Sequence, residues 1–247
     1  MIPAPQTHFL LAVALGSIAA AANLLGGYFV VRKDWSRRYL EYFLALGAGY
    51  LLAVAFLEII PESVRLGGDT AMLFVLAGYF LVHLFEHTLA PHFHFGEETH
   101  HEEISRRHAG MAALFGLLIH TFFDGVAIAA GFLVSARLGV LIFVAVVLHK
   151  LPEGFTVASL MLASGQSRRA AFYATALLGA ATLAGVILTG FFPGRVGFAL
   201  PLAGGVAVYV AASDLIPEVN RQHGWHVAPL VFLGAAILLA LSHLFHF

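Results

Sequence analysis

Cysteine is absent from this 247-residue chain, which excludes disulfides and thiolate metal sites and removes any redox evidence about compartment. Charge is scarce too: Asp, Glu, Lys and Arg make up 11% of residues, and no hydrophilic stretch is long enough to hold a soluble domain. Basic and acidic residues nearly cancel, 13 against 14, so the balance points to no acidic partner and no nucleic acid. The N-terminus lacks a basic n-region and a small-residue cleavage site, so the first apolar run is read as a retained span. What is present is apolar sequence, 60% of the chain, in long uncharged runs from end to end. That is the composition of an integral membrane protein in a lipid bilayer.

Eight runs are long enough to cross about 30 Å of hydrocarbon at about 1.5 Å per residue. They are His8–Val31, Tyr39–Pro61, Thr70–Ala90, Ala109–Leu133, Leu138–Ala163, Ala170–Phe192, Gly197–Val219 and His226–His246. Loops after odd-numbered spans carry Arg32, Lys33, Arg37, Arg38, Arg106, Arg107, Arg168, Arg169 and Arg221. Loops after even-numbered spans carry only Arg65, Arg137 and Arg195. Basic loops stay in the cytoplasm, so both termini are expected outside. Residues 1–247 read as one transmembrane domain.

An internal repeat runs through these spans. Leu57-Glu58-Ile-Ile-Pro61-Glu62 in span two matches Ser213-Asp214-Leu-Ile-Pro217-Glu218 in span seven, 156 positions on. Leu81-Val-His83-Leu-Phe-Glu86 in span three matches Leu241-Ser-His243-Leu-Phe-His246 in span eight, at 160. Leu and Phe recur in any membrane helix, but an acid, a proline and a second acid at one offset do not. Spans two and seven run in opposite directions, so the repeat is inverted, as in secondary transporters with a site at mid-membrane. The expected fold is all-α, with spans 1–3 and 6–8 flanking spans 4–5 in a 3+2+3 arrangement.

Spans four and five carry ionisable residues at their middles. The first reads His120-Thr-Phe-Phe-Asp124-Gly125 and the second His149-Lys150-Leu-Pro152-Glu153-Gly154. Each histidine lies four residues before a carboxylate, hence on one face of a helix. A charge at this depth costs about 2.5–3.5 kcal/mol on insertion scales, so four such groups on adjacent spans call for a purpose. Imidazole with carboxylate is a ligand set for a divalent transition metal, and His120, Asp124, His149 and Glu153 read as a metal site in a transport path. Pro152 deprives the Leu148 carbonyl of its helical partner and is expected to kink the helix there. Gly125 and Gly154 permit close helix approach. Glu58 and Asp214 are candidates for the path, whereas Glu62 and Glu218 sit at span ends as interfacial groups or ligands. Pro61 and Pro217 free the carbonyls of Leu57 and Ser213 beside these acids.

Residues 91–108 form a His/Glu-rich loop with five histidines (His92, His94, His100, His101, His108) and four glutamates. Such density suits weak metal binding, and the charge rule puts this loop in the cytoplasm. His83-Leu-Phe-Glu86-His87 matches the H-x-x-E-H arrangement of a metallohydrolase. Five residues are a weak match among 14 histidines, and a hydrolase leaves the span-four and span-five pairs unexplained. A metal sensor signalling through the loop is the remaining alternative to a transporter.

The H-x-x-x-D-G of span four, the H-K-L-P-E-G of span five and the I-I-P-E and L-I-P-E ends of spans two and seven resemble the ZIP (Zrt/Irt-like) metal transporters, prokaryotic type. The resemblance covers essentially the whole chain. It implies an eight-helix fold of three, two and three helices and a site between helices two, four, five and seven. The cargo implied is Zn2+, with Fe2+, Mn2+ and Cd2+ as candidates, moved toward the cytoplasm across the plasma (inner) membrane. No enzyme activity and no organic cofactor are implied, and a homodimer is among the candidate assemblies. His120, Asp124 and Glu153 correspond to primary ligands and His149 to an auxiliary one. Members with two adjacent metals often have asparagine where Thr121 stands, a carboxylate where Lys150 stands and a glutamate near Thr182; Leu51 stands where some have methionine. A lysine repels a dication, so one metal is expected, with Lys150 in the place of the second and paired with Asp124 or Glu153. Protons compete for the same ligands, so transport is expected to weaken as outside pH falls, unless proton export drives it.

Overall fold

The computed structural model describes residues 5–32, 37–89, 107–221 and 227–244, nearly all of them helical. Helix α1 is Pro5–Arg32. Helix α2 begins as Arg37–Val54, passes through a π turn at Ala55–Ile59 and continues as Ile60–Gly67. Then come α3 (Thr70–Leu89), α4 (Arg107–Val134), α5 (Ala136–Ala163) and α6 (Arg168–Phe191). Helix α7 opens with the 3-10 turn Pro193–Arg195 and runs through Val196–Tyr209, a second π turn at Val210–Leu215, and Ile216–Arg221. Helix α8 is Val227–Leu244. Seven of these are long and apolar enough to cross a membrane, and α3 adds a shorter apolar stretch, Thr70–Glu86.

Local chemistry sets the ends. Helix α2 stops where Gly68 takes φ 60°, and α5 is followed by Gly165 at φ 78°, backbone that a side chain disfavours. Ser135 alone joins α4 to α5. Its extended backbone turns the chain, and its Oγ accepts from the Leu138 N–H at 3.1 Å, so the two helices come out as adjacent antiparallel partners. Ser167 caps α6 the same way, accepting from Ala170 N–H.

Span two does not end at Pro61. A proline has no N–H to give, and the chain absorbs it by widening the preceding turn: Ile60 N–H bonds the Ala55 carbonyl, five residues back. The same happens before Pro217, where Ile216 N–H bonds Ala211. Both π turns hold an acid, Glu58 in one and Asp214 in the other.

Close packing rests on glycine. In lipid the apolar surface of a helix gains little by meeting another helix, so small residues that let backbones touch matter most. A Cβ on Gly26 would overlap the Leu151 carbonyl, and one on Gly154 the Asn23 carbonyl, which locks α1 to α5. Gly185 against Phe122 and Gly125 against Thr182 lock α6 to α4 in the same way. Gly49 with Val231 and Gly234 with Leu46 join α2 to α8; Gly205 with Val75 and Gly78 with Leu202 join α7 to α3. Helix α1 also lies along α6, and α4 along α5, so α1, α4, α5 and α6 form one tight set. Helices α2, α3, α7 and α8 form another. Across the boundary, where α2 meets α5 and α4 meets α3, Gly47 and Gly116 would make only ordinary contacts, at 3.4 and 3.6 Å.

Candidate metal centre

The face-sharing residues of α4 and α5 converge in the middle of the tight set, against α2 and α7. One ligand atom each from His120, Asp124, His149 and Glu153 lies within 4.8 Å of the other three. All four side chains are buried, 1–4% exposed. The glycines just after Asp124 and Glu153 lie under the backbones of α6 and α1, which sets the depth of both carboxylates.

The pairs cross between helices. His120 Nε2 of α4 faces Glu153 Oε2 of α5 at 3.3 Å, and His149 Nε2 of α5 faces Asp124 Oδ2 of α4 at 3.3 Å. His149 Nδ1 donates to the Ala145 carbonyl at 2.8 Å. In the neutral ring that leaves a lone pair at Nε2, so two acceptors face each other and call for a shared cation. His120 Nδ1 is buried without a hydrogen-bond partner. An orphaned ring nitrogen in such a place costs about 1–3 kcal/mol.

Lys150 has no exposed surface. Its Nζ lies 2.7 Å from Asp124 Oδ2 and 2.5 Å from Glu153 Oε2, so it bridges both carboxylates rather than pairing with one. The same ammonium donates to Thr121 Oγ1 at 3.1 Å, and Thr121 donates to Glu153 Oε1 at 2.5 Å. With neutral imidazoles, two carboxylates and one ammonium give the cluster one net negative charge. Thr121 and Lys150 stand 29 positions apart, as do His120 and His149, and Asp124 and Glu153.

The path candidates part company. Asp214, in the π turn of α7, lines a narrow cleft with His120, His149, Glu153, Val210 and Leu215. Beyond it, Tyr79 Oη lies 3.2 Å from Ser213 Oγ, and Tyr209 hydrogen-bonds Glu86. Glu58 is not brought to the cluster: its Oε1 accepts from Arg137 Nη2 at 2.7 Å and from Ser242 Oγ at 2.6 Å. Glu62 pairs with Arg65, and Glu218 lies 3.8 Å from Arg221, both within single helix ends.

His83 is exposed, with its ring 6.0 Å from that of Tyr209. The side chain of His87 lies outside the described ones, as do His92, His94, His100, His101 and the His108 side chain. Sequence reasoning passed over Arg137, Ser242, Tyr79 and Tyr209. The repeat held a signal for one of them, in a register other than the 160 expected for spans three and eight: Gly78 and Gly234 make equivalent contacts 156 positions apart, which sets Ser242 rather than His246 against Glu86, as Asp214 stands 156 after Glu58.

Residues 96–242 match the sequence profile of the ZIP Zinc transporter family. Zinc transporter ZupT of Corynebacterium aurimucosum is 26% identical over 94% of this chain and 95% of its own length. The Zinc transporter ZIP13 homolog of Drosophila melanogaster is 28% identical over 58% of this chain and 44% of its own. Zinc transporter SLC39A7 of Homo sapiens is 28% identical over 56% of this chain and 33% of its own. The chain thus spans nearly all of the bacterial relative and less than half of the other two. The family profile covers well over half of the sequence, including α4, α5 and the whole four-residue cluster: the chain belongs to the ZIP zinc transporter family.

Proposed function

We propose that the chain carries zinc through a membrane toward the cytoplasm, binding it at His120, Asp124, His149 and Glu153 on α4 and α5. The observation that carries this reading is the convergence of the four ligand atoms within 4.8 Å, on two helices too apolar to hold them without a purpose. A dication cannot cross hydrocarbon bare. Imidazole and carboxylate replace its water, and the site must bind weakly enough to release. Asp214 lines the cleft on one side of the cluster and is the next carboxylate along the path. The basic loops put the termini outside, so Asp214 lies toward the cytoplasm and Glu58 toward the exterior.

The architecture we infer is an inverted repeat, α1–α3 related to α6–α8 and α4 related to α5. The glycine contacts support it, because each has a mate. Gly49 and Gly205 are 156 positions apart and pack alike, as do Gly78 and Gly234; Gly26 and Gly185 stand 159 apart. Helices locked so tightly move as bodies. The looser boundary runs beside the cluster, so sliding of one set against the other would expose it to each side in turn.

Lys150 sets the stoichiometry at one metal. Its ammonium already bridges both carboxylates, in the place a second dication would need. Replacing it by Lys150→Asp is expected to raise bound zinc from one to two per chain by elemental analysis; an unchanged ratio would remove the role.

Zinc-65 uptake into proteoliposomes tests the main reading, comparing wild type with His120→Ala and Glu153→Ala and adding unlabelled iron(II), manganese and cadmium. Saturable uptake is expected, reduced at least tenfold in both variants. Uptake no greater than into empty liposomes, in either orientation and with or without a pH gradient, would overturn it.

A further inference from the structure

The group around Arg137 takes no part in the metal cluster, yet it joins three helices. Arg137 Nη2, at the start of α5, donates to Glu58 Oε1 of α2 at 2.7 Å and to Ser242 Oγ of α8 at 2.6 Å. Ser242 donates to the same Glu58 oxygen at 2.6 Å. Helices α2 and α8 belong to one tight set and α5 to the other, so the triad ties the two sets across the boundary where glycine does not.

The opposite end carries the related positions and a different arrangement. Asp214 and Glu86 are offset by 156 from Glu58 and Ser242. There Asp214 lines the cleft that reaches His120, His149 and Glu153, and Glu86 bonds Tyr209 within its own set. In a repeat of this kind the two ends exchange conformations during transport. At one end Asp214 lines a cleft with three residues of the cluster, and at the other Arg137 ties the two sets together.

We infer that Glu58, Arg137 and Ser242 form a clasp that closes the outer end of the path and must open in every cycle. Arg137 holds on Glu58 the place that an incoming dication takes when the sets slide apart. The ion pair is partly open to solvent: the Arg137 side chain keeps 27% of its surface and Glu58 keeps 12%, so water can replace the pair's contacts when the sets part. Arg137 is a positioning residue, acting on cargo through Glu58. This inference rests on the transport reading and on the outward placement of the termini.

The absence of native cysteine makes the test direct. The full-length double variant Arg137→Cys/Ser242→Cys is placed in liposomes and bridged with a short bis-methanethiosulfonate. Zinc uptake is expected to fall at least tenfold on bridging and to return with a reducing agent, while each single variant ignores the reagent. Equal uptake before and after bridging, beside a wild type that transports, overturns the clasp and leaves the transport reading standing. A wild type without uptake overturns both. Should the double variant fail to fold, Arg137→Gln serves: its KM for external zinc is expected to fall at least threefold, with Arg137→Lys close to wild type. An unchanged KM in Arg137→Gln overturns the clasp.

Discussion

At Lys150 an ammonium sits with no exposed surface, satisfied on all three protons by Asp124, Glu153 and Thr121. Removing one partner of a buried ion pair costs about 3–5 kcal/mol, because the charge left behind has no compensation. Lys150→Met strands two carboxylates, so its unfolding temperature in detergent without metal is expected to drop well below wild type. Zinc then has two uncompensated charges to bind. The zinc-induced rise in unfolding temperature should be larger in the variant, since a tighter ligand stabilises more at the same concentration. Equal rises in the two proteins would mean that the ammonium does not compete with cargo.

For the helices, the deciding feature is how near two backbones come. Gly154 and Gly205 each face a carbonyl that a Cβ would overlap. Gly154→Ala and Gly205→Ala are expected to lose about 1–3 kcal/mol, read as a lower unfolding temperature and a smaller monodisperse yield. Gly197 meets nothing within 4 Å, so Gly197→Ala should melt with wild type. If all three variants melt alike, the close approach of these helices is wrong. The π turns belong to the same scale. Each lets a helix continue through a proline while carrying an acid, and this is why α2 reaches Gly67 instead of stopping at Pro61.

Over the whole molecule, the division into two tight sets makes a prediction of its own. A disulfide inside one set, Gly27→Cys/Thr175→Cys between α1 and α6, should leave zinc uptake within about twofold of the uncross-linked protein, because that contact is already closed. A bridge across the boundary, Gly47→Cys/Leu148→Cys between α2 and α5 linked by a short bis-methanethiosulfonate, should stop uptake until it is reduced. Transport that survives the second bridge would show that the sets need not slide.

Much of this was legible in the residues themselves. Histidine and carboxylate four apart on two apolar runs can only share a helical face, and a charged group at that depth must find a partner, so His120, Asp124, His149 and Glu153 stood out by spacing and cost alone. The long uncharged runs fixed the class of protein for the same reason, that lipid offers no hydrogen bonds. Three-dimensional packing decided the rest. Whether Lys150 would meet Asp124 or Glu153 depends on the crossing of two helices, and it meets both. Glu58 and Asp214 look equivalent along the chain, yet one is held by Arg137 and Ser242 while the other lines the cleft beside His120, His149 and Glu153. A periodic pattern encodes which face of a helix is polar; which neighbour that face meets depends on contacts between residues about 80 to 185 positions apart.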